Sequence, residues 1–122
     1  MRFMCPLPPN AANSRRNWRV AQRDKLDYWA LCDLWQAARK IRAAPPEPVQ
    51  TATISARLWV WNLMDDDNAM HRLKPLLDWL VGKGYLAGDS RKHLRWTGIP
   101  EQTLTRDRDA FHVEITITPG AL

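Results

Sequence analysis

The sequence predicts a single α+β domain over residues 1–122, built on a mixed α/β sheet of about four strands with two helices. Stretches of alternating apolar residues, typical of half-buried strands, lie in the middle of the chain and near its end. Two other stretches place apolar residues at helical spacing. A length of 122 residues fits one domain with a single core.

Proline separates the predicted elements of the first half. A short strand over residues 2–5 is expected to end at Pro6, because proline interrupts a strand ladder. A helix is predicted from about Ala21 to Ala43, where apolar residues recur every three or four positions. The segment at residues 43–48, AAPPEP, ends that helix and forms a rigid connector.

The second half opens with a predicted strand from Ile54 to Leu63, whose alternation defines two faces. One face contains Ile54, Ala56, Leu58 and Val60, and the other contains Thr53, Ser55, Arg57, Trp59 and Trp61. The pattern then predicts a second helix, a short strand from His93 to Thr97, a polar connection over residues 98–110, and a half-buried strand from Phe111 to Thr118.

A formal net charge of +5 indicates an anionic partner, and the basic excess is local. The residues concerned are Arg15, Arg16, Arg19, Arg23 and Lys25, opposed in that interval only by Asp24. Cations that neutralise phosphates release counterions, so the segment is interpreted as a DNA-binding arm. A solvated basic face is the alternative interpretation. Arg91 and Lys92 complete the set of predicted DNA-binding residues.

Several classes of protein lack support. There is no apolar run long enough for a membrane span, and the apolar stretch before Pro6 is too short for a signal peptide, so a cytoplasmic protein is expected. Cys5 and Cys32 lack metal-type spacing, and Cys32 is interpreted as a small buried hydrophobe. Without a phosphate-binding glycine loop, a zinc-protease histidine pair or a serine elbow, neither a nucleotide cofactor nor zinc-protease or serine-hydrolase chemistry is expected.

An acidic run at residues 65–68, DDDN, lies between the predicted strand and the second helix. If the strand continues into it, Asp65 and Asp67 point to one side and Asp66 to the other. Asp89 follows a glycine turn and could return to the start of the helix. Mg²⁺ prefers carboxylate oxygens, which makes these residues candidate ligands. Taken alone, such a run is more typical of a helix start, where it opposes the helix dipole.

The order of motifs resembles the RusA family of Holliday-junction resolvases, which is common in phages and prophages. The matching segments are Asp65-x-Asp67-Asn68, Lys74-Pro75-Leu76-Leu77-Asp78, Gly84-Tyr85-Leu86 and Asp89-Ser90. Pro-Leu-Pro-Pro-Asn at residues 6–10 and the closing strand extend the resemblance over nearly the whole chain. It implies a single RusA-like endodeoxyribonuclease domain.

The resemblance also implies an activity in DNA recombination and repair. Asp65, Asp67 and Asp89 are implied ligands of a divalent metal, Mg²⁺ or Mn²⁺, and a lysine on the second helix is implied in catalysis. The implied function is a metal-dependent endonuclease that resolves Holliday junctions or other branched DNA. A homodimer is expected because resolution needs paired nicks. The alternatives are a non-catalytic DNA-binding phage protein with a degraded metal site, and a structural or regulatory module.

The cation on the second helix is either His71 or Lys74. The helix is about three residues longer than in the family's best-known member, so both side chains would face Asp67 on a regular helix. Pro75 cannot donate to the carbonyl of His71, which favours a break that absorbs the extra residues. We therefore predict that Lys74 takes the place of the family's lysine.

Overall fold

The computed structural model describes residues 1–10 and 18–120, and the described residues form one mixed sheet with helices. The predicted α+β fold class is confirmed. In chain order the elements are β1 (Arg2–Cys5), α1 (Trp18–Ala37), β2 (Ala52–Val60), α2 (Asp66–Arg72), α3 (Lys74–Gly82), β3 (Leu94–Trp96), β4 (Glu101–Leu104) and β5 (His112–Pro119).

The strand β2 organises the sheet. β5 pairs antiparallel with β2 on one side and with β1 on the other. β3 pairs parallel with the start of β2, and β4 pairs parallel with its end. A parallel neighbour needs a crossover connection, and α2 and α3 lie within the one that leads from β2 to β3.

One face of β2 is buried, as the alternation predicted. Ile54 and Leu58 are fully buried, while Arg57 on the opposite face is exposed and Trp59 is half-buried. Apolar residues of α1 and α3 complete the same core, namely Tyr28, Cys32, Leu76, Leu77, Trp79 and Leu80. The helices therefore cover one face of the sheet, and each leucine buried there contributes about 1.5–3 kcal/mol.

The helix α1 ends at Ala37 rather than near Ala43. Arg39 adopts a left-handed conformation with φ of 62°. The N–H groups of Lys40 and Ile41 both donate to the carbonyl of Trp35, at 2.9 and 3.3 Å. A left-handed residue just after a helix directs following N–H groups back to the last free carbonyls, so the helix stops there.

The region 98–110, predicted to be a polar connection, contains the strand β4. Its side chains are exposed or half-buried, so no apolar alternation marks it. Pairing with Arg57–Val60 of β2 stabilises it instead. The described sheet therefore has five strands rather than about four.

The predicted second helix is divided into α2 and α3 at Leu73. Pro75 lies in the first turn of α3, where a missing N–H leaves no helical hydrogen bond unmade. The break that Pro75 favours is confirmed.

Both cysteines are buried in the core as free thiols. Burial raises the pKa of Cys32 to about 12, so its thiol stays protonated at neutral pH. The interpretation of Cys32 as a small buried hydrophobe is confirmed. Within residues 1–10 and 18–120, no helix combines the length and the apolar character that crossing a membrane requires.

Candidate functional site

The acidic run starts the helix α2 instead of extending β2. β2 ends at Val60, Asp65 is the N-cap residue of α2, and Asp66 and Asp67 lie in its first turn. The expectation that strand alternation separates Asp66 from Asp65 and Asp67 is therefore wrong. The interpretation of the run as a helix start is confirmed, since carboxylates there oppose the positive end of the helix dipole.

The backbone just before Asp65 is attached to β4 through Gln102. The side-chain amide of Gln102 accepts a hydrogen bond from the N–H of Met64 and donates one to its carbonyl, each at 2.8 Å. Both backbone groups of Met64 are thus satisfied, as they would be by a neighbouring strand. The strand that sequence reasoning missed therefore positions the acidic run.

Lys74, the first residue of α3, contacts the loop that follows the helix. Its Nζ lies 2.5 Å from Oδ2 of Asp89 and 3.0 Å from Oδ1 of Asp78. Hydrogen bonds to Asp89 and then to Asp78 raise the pKa of Lys74, which keeps the amine charged. Two predicted site residues from separate motifs therefore meet, and His71 does not take this position.

Asp78 connects this contact to α1. Its Oδ2 lies 3.0 Å from Nζ of Lys25, which also lies 4.8 Å from the ring centroid of Trp29. Burial by itself would raise the pKa of Asp78, but hydrogen bonds from Lys25 and Lys74 hold it below its ordinary value. Four alternating charges, Lys25, Asp78, Lys74 and Asp89, form what we call the four-charge chain. Lys25, predicted to bind DNA, already has an acidic partner.

The predicted metal ligands fit Mg²⁺ by chemistry but not by placement. Among the described residues, no three His, Cys, Asp or Glu side chains are grouped so that they could hold a metal ion. Asp65 and Asp67 lie at the start of α2, whereas Asp89 is bound by the ammonium group of Lys74. The three carboxylates are therefore not assembled into a metal site.

The other predicted DNA-binding residues lie in two places. Arg15 and Arg16 fall outside the described residues. The remaining ones are exposed, two on α1 and two in the turn after Asp89, namely Arg19, Arg23, Arg91 and Lys92. His71, at the end of α2, is also exposed.

Sequence reasoning missed Arg72, the last residue of α2. Its Nε donates to the carbonyl of Pro8 at 2.7 Å, and its Nη1 lies 3.6 Å from the sulfur of Met64. Within the described part of the chain it has no acidic partner. A basic residue beside His71 was visible in the sequence, but nothing in the helical pattern distinguished it from an ordinary surface arginine.

No protein-family model matches this chain, and no curated protein matches it significantly.

Proposed function

We propose that this protein is an endonuclease of the RusA type that resolves Holliday junctions or other branched DNA. The contact between Lys74 and Asp89 is the observation that carries the proposal. These residues belong to separate motifs, 15 positions apart, that the resemblance assigns to one active site. The break at Leu73 supports it further, because a helix interrupted there brings Lys74 to the loop.

The residues of the proposed site have separable tasks. The ammonium group of Lys74 would stabilise negative charge on the phosphoryl oxygens of the cleaved strand. Asp78 orients that ammonium group and is itself held by Lys25. The proposed cofactor is Mg²⁺ or Mn²⁺, and its proposed ligands Asp65, Asp67 and Asp89, which are apart in this structure, would have to come together to hold it.

The proposal includes a homodimer that acts on DNA in the cytoplasm. Paired nicks in two strands require two sites, and one small domain offers one copy of each site residue. Trp61 is 42% exposed, and Trp59 stacks on His112 with ring centroids 4.1 Å apart. We expect one of these tryptophans to contribute to the dimer contact, and a dimer at micromolar concentration in a sedimentation experiment. A monomer that still nicks both strands would contradict this part.

A non-catalytic protein that binds branched DNA is the second candidate. The observation that favours it is the separation of the carboxylates, since no metal-holding group is present among the described residues. Both candidates would bind DNA through the basic surface, and they differ in whether the protein cleaves it.

A synthetic four-way junction, incubated with and without Mg²⁺, separates the two candidates. We expect symmetric nicks only with the metal. Asp65→Asn, Asp67→Asn and Asp89→Asn should each abolish nicking while junction binding persists, because the basic surface is unchanged. The matched control is Asp109→Asn, an exposed aspartate before β5.

A slower-migrating complex without nicks would support the binding protein, and no complex at all would contradict both candidates. Equal loss of activity in Asp109→Asn and Asp89→Asn would contradict the proposed site.

A further inference from the structure

A groove of about 210 Å³ lies between α1 and the junction of α2 with α3. That space is several times the roughly 30 Å³ that one water molecule takes in the liquid. Its charged lining comprises Asp24, Lys25, Arg72, Lys74 and Asp78. The groove thus lies directly beside the four-charge chain.

The lysines of this lining are already engaged. Asp78 holds Lys25 and Lys74, each at 3.0 Å, and Lys74 also contacts Asp89. An anion entering the groove would compete with these carboxylates for either lysine. The lysines are therefore weak candidates for the main ligand inside the groove, and the proposed contact of Lys74 with the cleaved phosphate would likewise have to compete with Asp78 and Asp89.

Arg72 differs from the two lysines, because its guanidinium group has no carboxylate partner among the described residues. Its contacts with Pro8 and Met64 use Nε and Nη1, while a guanidinium group carries five N–H donors. Among the described residues, no buried side-chain nitrogen or oxygen lacks a hydrogen-bond partner. Nη2 has no hydrogen-bond partner among the described residues, which leaves its donors available to a ligand.

The guanidinium group of Arg72 is also held in place. The carbonyl of Pro8 accepts from its Nε and the sulfur of Met64 from its Nη1, and Met64 is itself attached to Gln102. Burial lowers the pKa of Arg72, so an anion in the groove would offset the cost of desolvating its charge. A planar, fixed guanidinium with free donors matches the oxygens of a phosphate group.

We propose that this groove binds a backbone phosphate of DNA, with Arg72 as its direct ligand. The inference rests on the proposed function in one respect, that the partner is DNA. Arg72 lies in the stretch between Asn68 and Lys74 that is about three residues longer than in the best-known RusA member. The resemblance therefore does not supply this ligand, and the bound phosphate would neighbour the one at Lys74.

The test measures binding of a four-way junction and of a linear duplex by fluorescence anisotropy, in EDTA and over a range of KCl concentrations. Arg72→Gln should weaken binding to both DNAs and reduce the slope of log Kd against log salt by about 0.9, the loss of one phosphate contact. Arg95→Gln is the matched control, because Arg95 is an exposed cation of β3 beside Thr53, on the face away from the helices. It should leave the slope unchanged.

Arg72→Gln also removes the contacts with Pro8 and Met64, so a second measurement uses the unaltered protein. Phenylglyoxal modifies accessible arginines, and mass spectrometry gives the rate at each site. Bound DNA should slow the modification of Arg72 and not that of Arg95. Arg72→Lys should retain the salt slope, since it keeps the charge.

Two results would overturn the inference: an Arg72→Gln slope equal to that of the unaltered protein, or equal modification of Arg72 with and without DNA. Absence of nicking in a protein that shows both expected effects would contradict the endonuclease and support the phosphate site. Failure of the unaltered protein to bind DNA would overturn both proposals.

Discussion

Charged side chains are paired in different ways on the two faces of the sheet. On the face away from the helices, Arg2 pairs with Glu114 and Arg57 with Glu101, each across neighbouring strands. Three of these four side chains are more than half exposed, so water and salt screen the pairs and each adds little stability. Every cation in these pairs has its own carboxylate.

On the helix side, the charged side chains at the edge of the core are not paired one to one. One carboxylate, Asp78, holds two lysines, and Arg72 beside them has no acidic partner among the described residues. The groove there contains a guanidinium group without a carboxylate partner among the described residues, whereas Arg2 and Arg57 on the open face each have one. A search for the anion-binding surface should therefore start on the helix side.

The largest effect that would test this contrast concerns activity. Under the proposed function, Lys74→Ala should reduce junction nicking by about 10²-fold or more, because it removes a charge that stabilises the phosphoryl oxygens. His71→Ala should keep most of the activity, since Lys74 and not His71 contacts Asp89. Single-turnover nicking rates measure both.

Arg95→Ala, on the open face beside Thr53, is the control and should nick at the normal rate. Full activity of Lys74→Ala with an inactive His71→Ala would reverse the assignment of the cation on this helix.

A second test compares neighbouring residues on opposite faces of β2. Leu58→Ala should lower the free energy of unfolding by about 2–5 kcal/mol, because it opens a cavity in the core at a fully buried position. Arg57→Ala should shift the urea midpoint very little, since its ion pair with Glu101 is solvent-exposed. Equal shifts for both variants would show that the open face is covered in solution.

The smallest expected effect concerns the pH dependence of stability through Asp78. Its folded-state pKa lies below the ordinary 3.8, so its stabilising contribution is present above about pH 4 and is lost as pH falls through the folded-state pKa. Asp78→Asn should therefore lower stability by up to about 1 kcal/mol near neutral pH. Urea titrations near pH 7 and near pH 2.5 should show the difference between variant and original shrinking in acid.

Asp109→Asn is the control, because Asp109 forms no ion pair with another described residue. A deficit of Asp78→Asn that persists unchanged in acid would mean that packing, and not charge, is its cause.

The fold was predictable where one physical pattern decides the structure. Alternation identified β2 and its buried face, and Pro75 indicated the break at Leu73. β4 was not predictable, because its side chains are never fully buried and pairing with β2 alone defines it. The early end of α1 was also hidden, since Arg39 rather than a glycine adopts the left-handed conformation.

The candidate site was predictable only in part, for a related reason. Motif order brought Lys74 and Asp89 into consideration together, and the structure joins them. The environment of Arg72 depends on Pro8, 64 positions earlier in the chain, which no local pattern can reveal. The predicted directions of the Asp65 and Asp67 side chains were wrong, because β2 stops at Val60 and the two residues start a helix.

Because Gln102 of β4 holds Met64, the location of the acidic run depends on the register in which β4 pairs with β2. Glu101 to Leu104 pair with Arg57 to Val60, and this alignment puts the amide of Gln102 opposite the backbone that leads to Asp65. A slip of β4 by one residue would move that amide about 3.3 Å and turn it to the other face of the sheet. A change in the register of β4 would therefore displace carboxylates that lie more than thirty positions earlier in the chain.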